Sequence, residues 1–149
     1  MHLHFFIGGI LIALTVIFQA VCFDIIMRLG RKASTWFANN APFHWKSFFV
    51  TAIVLSVMSV SVVQMWMWAL AFWVLGAIDT LHNAVYFSIS SFTTVGYGDI
   101  VLNENWQLLG SIEAANGFLL FGWSAAFIFE IITQLYRQEG GAIKSKPLS

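Results

Sequence analysis

Charge is what this sequence has least of. Only 9% of its 149 residues are Asp, Glu, Lys or Arg, while 59% are apolar. A water-soluble domain of this length needs a charged surface, so the composition excludes that class and points to a chain that lives in a membrane. Cysteine is nearly absent as well. Cys22 stands alone, which rules out an intrachain disulfide. Val21 precedes it where a lipid-attachment site would want a small residue, so Cys22 reads as an ordinary buried thiol. The polar segments hold no nucleophile paired with a base, no cluster of metal ligands and no phosphate-binding loop, so catalysis has nothing to work with and no cofactor is expected. No nucleic-acid partner is expected either. A voltage-sensing helix needs several arginines to perform electrical work of about 2.3 kcal/mol per charge per 100 mV, and the first apolar run holds only Arg28 at its end. No Lys or Arg precedes that run and no clean cleavage pattern follows it, which favours a retained helix over a secretory signal.

What is present is three long apolar runs. The first extends from about Phe5 to Phe23, with only Thr15 and Gln19 interrupting it, and the second from Phe48 to about Phe72 without a charge. Each is close to the roughly 20 residues that cross a hydrocarbon core. The third, from about Trp106 to Tyr136, exceeds a core about 30 Å thick at about 1.5 Å per residue, so it is expected to tilt or project beyond it. Leu81 to Phe92 is too short to cross yet mostly apolar, as a re-entrant helix would be, and irregular backbone beside it must be surrounded by protein or line a water-filled cavity. Arg28, Arg31, Lys32 and Lys46 fall between the first two runs and Arg137, Lys144 and Lys146 follow the third, which assigns that face to the cytoplasm and the amino terminus to the outside. Trp36 and Trp45 flank the basic segment while Trp66, Trp68, Trp73 and Trp106 lie toward the other end, as two interfacial belts would.

Thr93-Thr94-Val95-Gly96-Tyr97-Gly98-Asp99 breaks this pattern. Gly96 and Gly98 lack a Cβ and can take positive φ, which turns successive carbonyls toward one axis. The run resembles the selectivity filter of the potassium channel pore-domain family. The likeness is most specific over residues 85–99, fair as far as Tyr136 and uninformative over the first run. It implies the mechanism known for channels with this filter: carbonyls of Thr94, Val95, Gly96 and Tyr97, with the Thr94 hydroxyl and the turn at Gly98, replace the water of a permeant K+ ion. It further implies that Thr93, Asp99, Tyr86, Phe87 and Ser90 support the filter, with Ser88, Ser90 and Ser91 packing the pore helix behind it. The implied fold is an all-α membrane protein with three transmembrane helices, a re-entrant pore helix and a filter loop. One filter strand per chain implies a fourfold homotetramer. The expected division is an amino-terminal transmembrane helix over 1–29, a basic interfacial loop over 30–46, the pore domain over 47–136 and a short tail over 137–149. That tail is too short for a nucleotide- or calcium-binding regulatory domain.

The chain departs from the commonest form of the family around the pore helix. Tyr86 and Phe87 stand where many relatives have two tryptophans. Tyr86 can still offer a hydroxyl to Asp99, whereas Phe87 has no hydrogen bond to give Tyr97. Ser90 stands where some relatives place a carboxylic acid. Weaker outer support, altered inactivation and unchanged ion choice are the expected consequences.

In the third run, Gly117 and Gly122 fit either a gating hinge or close helix packing. Alignment on Gly117 makes Phe118, Phe121, Ala125 and Phe129 candidates for the cavity lining. Glu113 is expected to support the pore helix by a hydrogen bond, or to remain protonated. Glu130 would either form an acidic ring at the inner mouth or pair with Arg137 or a basic loop residue. Asp99 and Glu104 would make the outer mouth attractive to cations. His2, His4 and His82 read as interfacial. Arg31 and Lys32, with Trp36 and Trp45, suggest contact with anionic lipid. The function expected is passive, potassium-selective conduction across the cell membrane. A non-conducting or regulatory subunit of a channel or potassium uptake system is the alternative.

Overall fold

In hydrocarbon every backbone N–H and C=O must find a partner within its own segment, so uninterrupted apolar runs become helices. The computed structural model describes residues 2–40 and 45–144, with side chains over 4–32, 45–135 and at 137. It contains α1 (His2–Asn40), α2 (Trp45–Val74), α3 (Leu81–Phe92) and α4 (Gln107–Lys144). No strand occurs among the described residues. Three of the helices are long and apolar enough to cross a membrane, over His4–Lys32, Trp45–Val74 and Gln107–Leu135. The chain is a multi-pass membrane protein. α3 matches the expected re-entrant segment residue for residue.

Two boundaries differ from expectation. α1 continues to Asn40, through most of the segment expected as a basic loop, and α4 continues to Lys144, well into the expected tail. Arg, Lys and Ala are strong helix formers, and nothing after Gly30 interrupts α1. Pro42 lies just beyond its end, where a helix is expected to have stopped. Basic charge there marks where a helix leaves the hydrocarbon and does not break it. Lys146 lies outside the described residues, as do the side chains of His2, Trp36, Tyr136 and Lys144.

α3 packs against both α2 and α4, and α1 against the same two helices. The resulting core has three levels. Around α3 lies an aromatic-rich cluster of Met65, Trp68, Phe72, Ala84, Phe87, Phe92, Leu109 and Leu120. At the other end of the bundle Phe23, Ile53, Val57 and Ile131 form a second cluster, with Phe23 stacked on Phe127 at 4.0 Å. A buried polar seam involves Thr15 and Gln19 of α1, Gln64 of α2, and Asn116 and Ser124 of α4. Trp68, expected at an interface, is instead fully buried in the first cluster. Large apolar side chains such as Phe6, Ile17, Leu29, Leu55 and Met58 remain on the outside, as a lipid-facing surface requires.

Candidate functional site

The site grows from α3. Thr80 caps its start, in extended conformation, its side chain accepting from the Asn83 N–H at 3.2 Å. At its other end the helix has carbonyls without helical partners, and the following loop supplies donors to them. The Thr93 N–H donates to Ile89 O at 3.1 Å, Thr94 N–H to Ser91 O at 2.9 Å and Gly96 N–H to Ser90 O at 3.0 Å. The Thr93 hydroxyl adds a bond to Ile89 O at 2.6 Å. The loop is thus folded back on the helix through its own N–H groups.

Its carbonyls are left over. Among the described residues no donor reaches the carbonyl oxygen of Thr94, Val95, Gly96, Tyr97 or Gly98. Thr94 (φ +60°), Gly96 (+55°) and Gly98 (+81°) have positive φ, while Val95 and Tyr97 between them do not. Such alternation separates N–H groups and carbonyls onto opposite sides of the chain. Nothing lies within 4 Å of a Cβ built on Gly96 or Gly98, so conformation and not crowding is what calls for glycine there. Thr94 was not foreseen in this state. A β-branched residue at positive φ is an outlier, held at a cost of order 1–3 kcal/mol by its surroundings.

The outer side of the loop is braced by Tyr86, whose hydroxyl donates to Asp99 Oδ2 at 2.7 Å; Asp99 Oδ1 accepts from Ile100 N–H at 3.0 Å. The Tyr86 hydroxyl holds the Asp99 carboxyl below its ordinary value, against a smaller opposing effect of desolvation. The same bond raises Tyr86. The Tyr97 ring, 71% exposed within one chain, stacks on Tyr86 at 6.5 Å. Phe87 points elsewhere: it is buried, edge-on to Phe72 at 5.2 Å, with its ring 3.1 Å from where a Cβ on Gly110 would sit. Ser90 is buried and donates its hydroxyl to Phe87 O at 3.3 Å, while its carbonyl holds Gly96.

α4 closes the site from behind. A Cβ on Gly117 would lie 2.1 Å from the Phe92 carbonyl oxygen, so this glycine is where α4 and the end of α3 touch backbone to backbone. Gly122 has open space around it. Phe118 and Phe129 are 70% and 71% exposed, and with Gly122 and Ala125 they form one exposed stripe at helical spacing. Phe121 turns partly inward, edge-on to Phe92 at 5.6 Å. Glu130 accepts from Gln134, one turn on, at 2.7 Å. His82 and Glu104 are exposed, and His4 meets Trp106 edge-on at 4.9 Å. Glu113 is fully buried, with Oε1 2.5 Å from the Ser88 hydroxyl of α3.

Sequence reasoning overlooked Gly110, and it left open what Thr15 and Gln19 touch. Their spacing of four residues, which puts both on one helix face, was the available signal. The basic residues Arg28, Arg31, Lys46 and Arg137 belong to the segments around the second core cluster, at the end of the bundle away from the loop.

A model of a family described as an ion channel matches residues 58–134, which take in the later part of α2, all of α3, the loop and most of α4. Neither a curated protein nor a solved structure matches the chain.

Proposed function

The chain belongs to the ion channel family, and from that premise we propose that it conducts K+ selectively and passively across the cell membrane. The observation that carries the reading is the row of unpartnered carbonyls from Thr94 to Tyr97 on a loop of alternating φ sign. Bare backbone oxygens at membrane depth are costly unless something replaces their hydrogen bonds. A cation shedding its water is a chemically matched replacement, and the Thr94-Val95-Gly96-Tyr97-Gly98 sequence is the one potassium channels use.

One loop cannot surround an ion, so four copies about an axis complete the passage. The exposed stripe of Phe118, Gly122, Ala125 and Phe129 is suited to line the cavity below it, and the exposed Tyr97 to meet a neighbour. Asp99 and Glu104 attract cations at the outer end, and Glu130 does so at the inner end. Arg28, Arg31, Lys46 and Arg137 toward the other end favour a cytoplasmic position for that end, with the amino terminus outside. There Arg31 borders a crevice of Ile26, Met27, Phe49 and Ile131, consistent with anionic lipid beside it.

The test is ion flux into proteoliposomes holding the purified full chain. Uptake driven by a potassium gradient, blocked by barium and absent with sodium alone, is the expected outcome. Equal sodium uptake overturns the selectivity, and no flux of either ion favours a non-conducting subunit.

A further inference from the structure

The Ser88 hydroxyl sits between two oxygens. Its Oγ is 2.7 Å from the carbonyl oxygen of Met65 on α2 and 2.5 Å from Oε1 of Glu113 on α4. All three groups are buried or face buried atoms, Ser88 and Glu113 having no exposed surface at all. A serine hydroxyl owns one proton, and a peptide carbonyl can only accept. If Glu113 were a carboxylate, two acceptors would compete for that proton, and one oxygen pair at bonding distance would hold no hydrogen.

The rest of the surroundings agree. Glu113 Oε2 is buried with no hydrogen-bond partner. The sequence has no Lys or Arg between Lys46 and Arg137, and none from Met1 to Met27, so these spans supply no lysine or arginine to neutralise a charge on Glu113. An unpaired buried carboxylate is far more costly than a neutral acid.

We infer that Glu113 is a neutral carboxylic acid that donates its proton to Ser88, which in turn donates to the Met65 carbonyl. This directed chain joins α4, α3 and α2 directly behind the filter loop. Ser88 lies two residues before Ser90, whose carbonyl holds the Gly96 N–H. Glu113 is therefore a positioning residue: by fixing α3 against α4 and α2 it sets where the loop's oxygens stand. Its effect on conduction rests on the channel reading above, whereas its protonation does not.

The experiment has two arms on the full chain in lipid. The infrared difference spectrum of wild type minus Glu113→Gln at neutral pH is expected to show the carbonyl stretch of a protonated carboxyl group. Carboxylate bands in its place overturn the inference, whatever the protein conducts. In the flux arm, Glu113→Gln keeps a donor for Ser88 and is expected to retain wild-type potassium flux. Glu113→Leu removes it and is expected to lower the conducting fraction about 3- to 20-fold, the range that one interhelical hydrogen bond in a membrane corresponds to. Equal losses in the two variants, or no loss in Glu113→Leu, overturn the positioning role. Absence of flux in the wild type would sink the channel reading alone, and the infrared arm would still decide the proton's place.

Discussion

At Gly117 the backbones of α3 and α4 are so close that a single methyl group would meet a carbonyl oxygen, whereas five residues on, at Gly122, the same methyl would meet nothing. The two glycines, indistinguishable as letters, therefore respond differently to substitution. Gly117→Ala is expected to lower the thermal stability of the purified protein by about 1–3 kcal/mol, the usual penalty for overpacking. Gly122→Ala is expected to leave it unchanged or raise it by up to about 1 kcal/mol through helix propensity. Melting curves of both variants in the same detergent check this. Tyr86 offers a second residue-scale test, through pH. Its hydrogen bond holds the Asp99 carboxyl below the ordinary value, so the bond's contribution is complete above the ordinary carboxylate range and is lost as pH falls through the lowered value. Tyr86→Phe returns Asp99 toward its ordinary range. Acid-induced loss of conduction from the outer side should then begin at a higher pH than in the wild type, and a titration of current against outer pH would show an unshifted midpoint if the brace were irrelevant. Phe87 was a residue whose neighbours the sequence concealed. It lies about 100° round α3 from the exposed Tyr86, and only the packing of Phe72 and Gly110 against it reveals a core residue.

Among the elements, α3 was the most legible and α1 the least. Twelve mostly apolar residues, too few to cross, followed by a glycine-containing loop delimit α3 without reference to any neighbour. The charge of Arg31 and Lys32 reads as loop in sequence, yet α1 runs through it to Asn40, because Arg, Lys and Ala suit a helix as it leaves the hydrocarbon. Its partners were illegible for another reason: they lie far along the chain. Asn116 Nδ2 donates to Thr15 Oγ1 at 2.9 Å, Gln64 Nε2 to Gln19 Oε1 at 3.0 Å, and Gln19 Nε2 to Leu120 O at 3.1 Å. These bonds make α1 an integral part of the bundle rather than a loosely tethered anchor. Gln19 Nε2 also reaches Ser124 Oγ at 3.4 Å, so α1 grips α4 at Leu120 and Ser124, on either side of Gly122. Gln19→Leu and Gln64→Leu should each cost about 0.6–1.7 kcal/mol, as interhelical hydrogen bonds in membranes do. Because the two side chains share a bond, the double variant should cost less than the sum. A double-mutant cycle on unfolding in detergent measures the coupling, and strict additivity would show that the seam is not a connected network.

For the molecule as a whole, the three levels of core fit one arrangement. The aromatic cluster surrounds α3 and sets the loop, the polar seam ties in α1, and the second cluster closes the basic end. One chain leaves five carbonyls without donors, Tyr97 exposed and a stripe of α4 exposed, and under the proposed function these are what symmetric copies would complete. The positive φ of Gly96 and Gly98 was legible in the sequence because glycine at alternate positions has a direct backbone meaning, whereas that of Thr94, a β-branched residue, was not. Determining the structure of the membrane assembly with thallium in place of potassium, and locating it by anomalous scattering, tests the account most directly. Several thallium peaks on a fourfold axis, each in contact with carbonyl oxygens of Thr94 to Tyr97, are the predicted result. Carbonyls turned away from any shared axis, or thallium found only with its water shell intact, would contradict it.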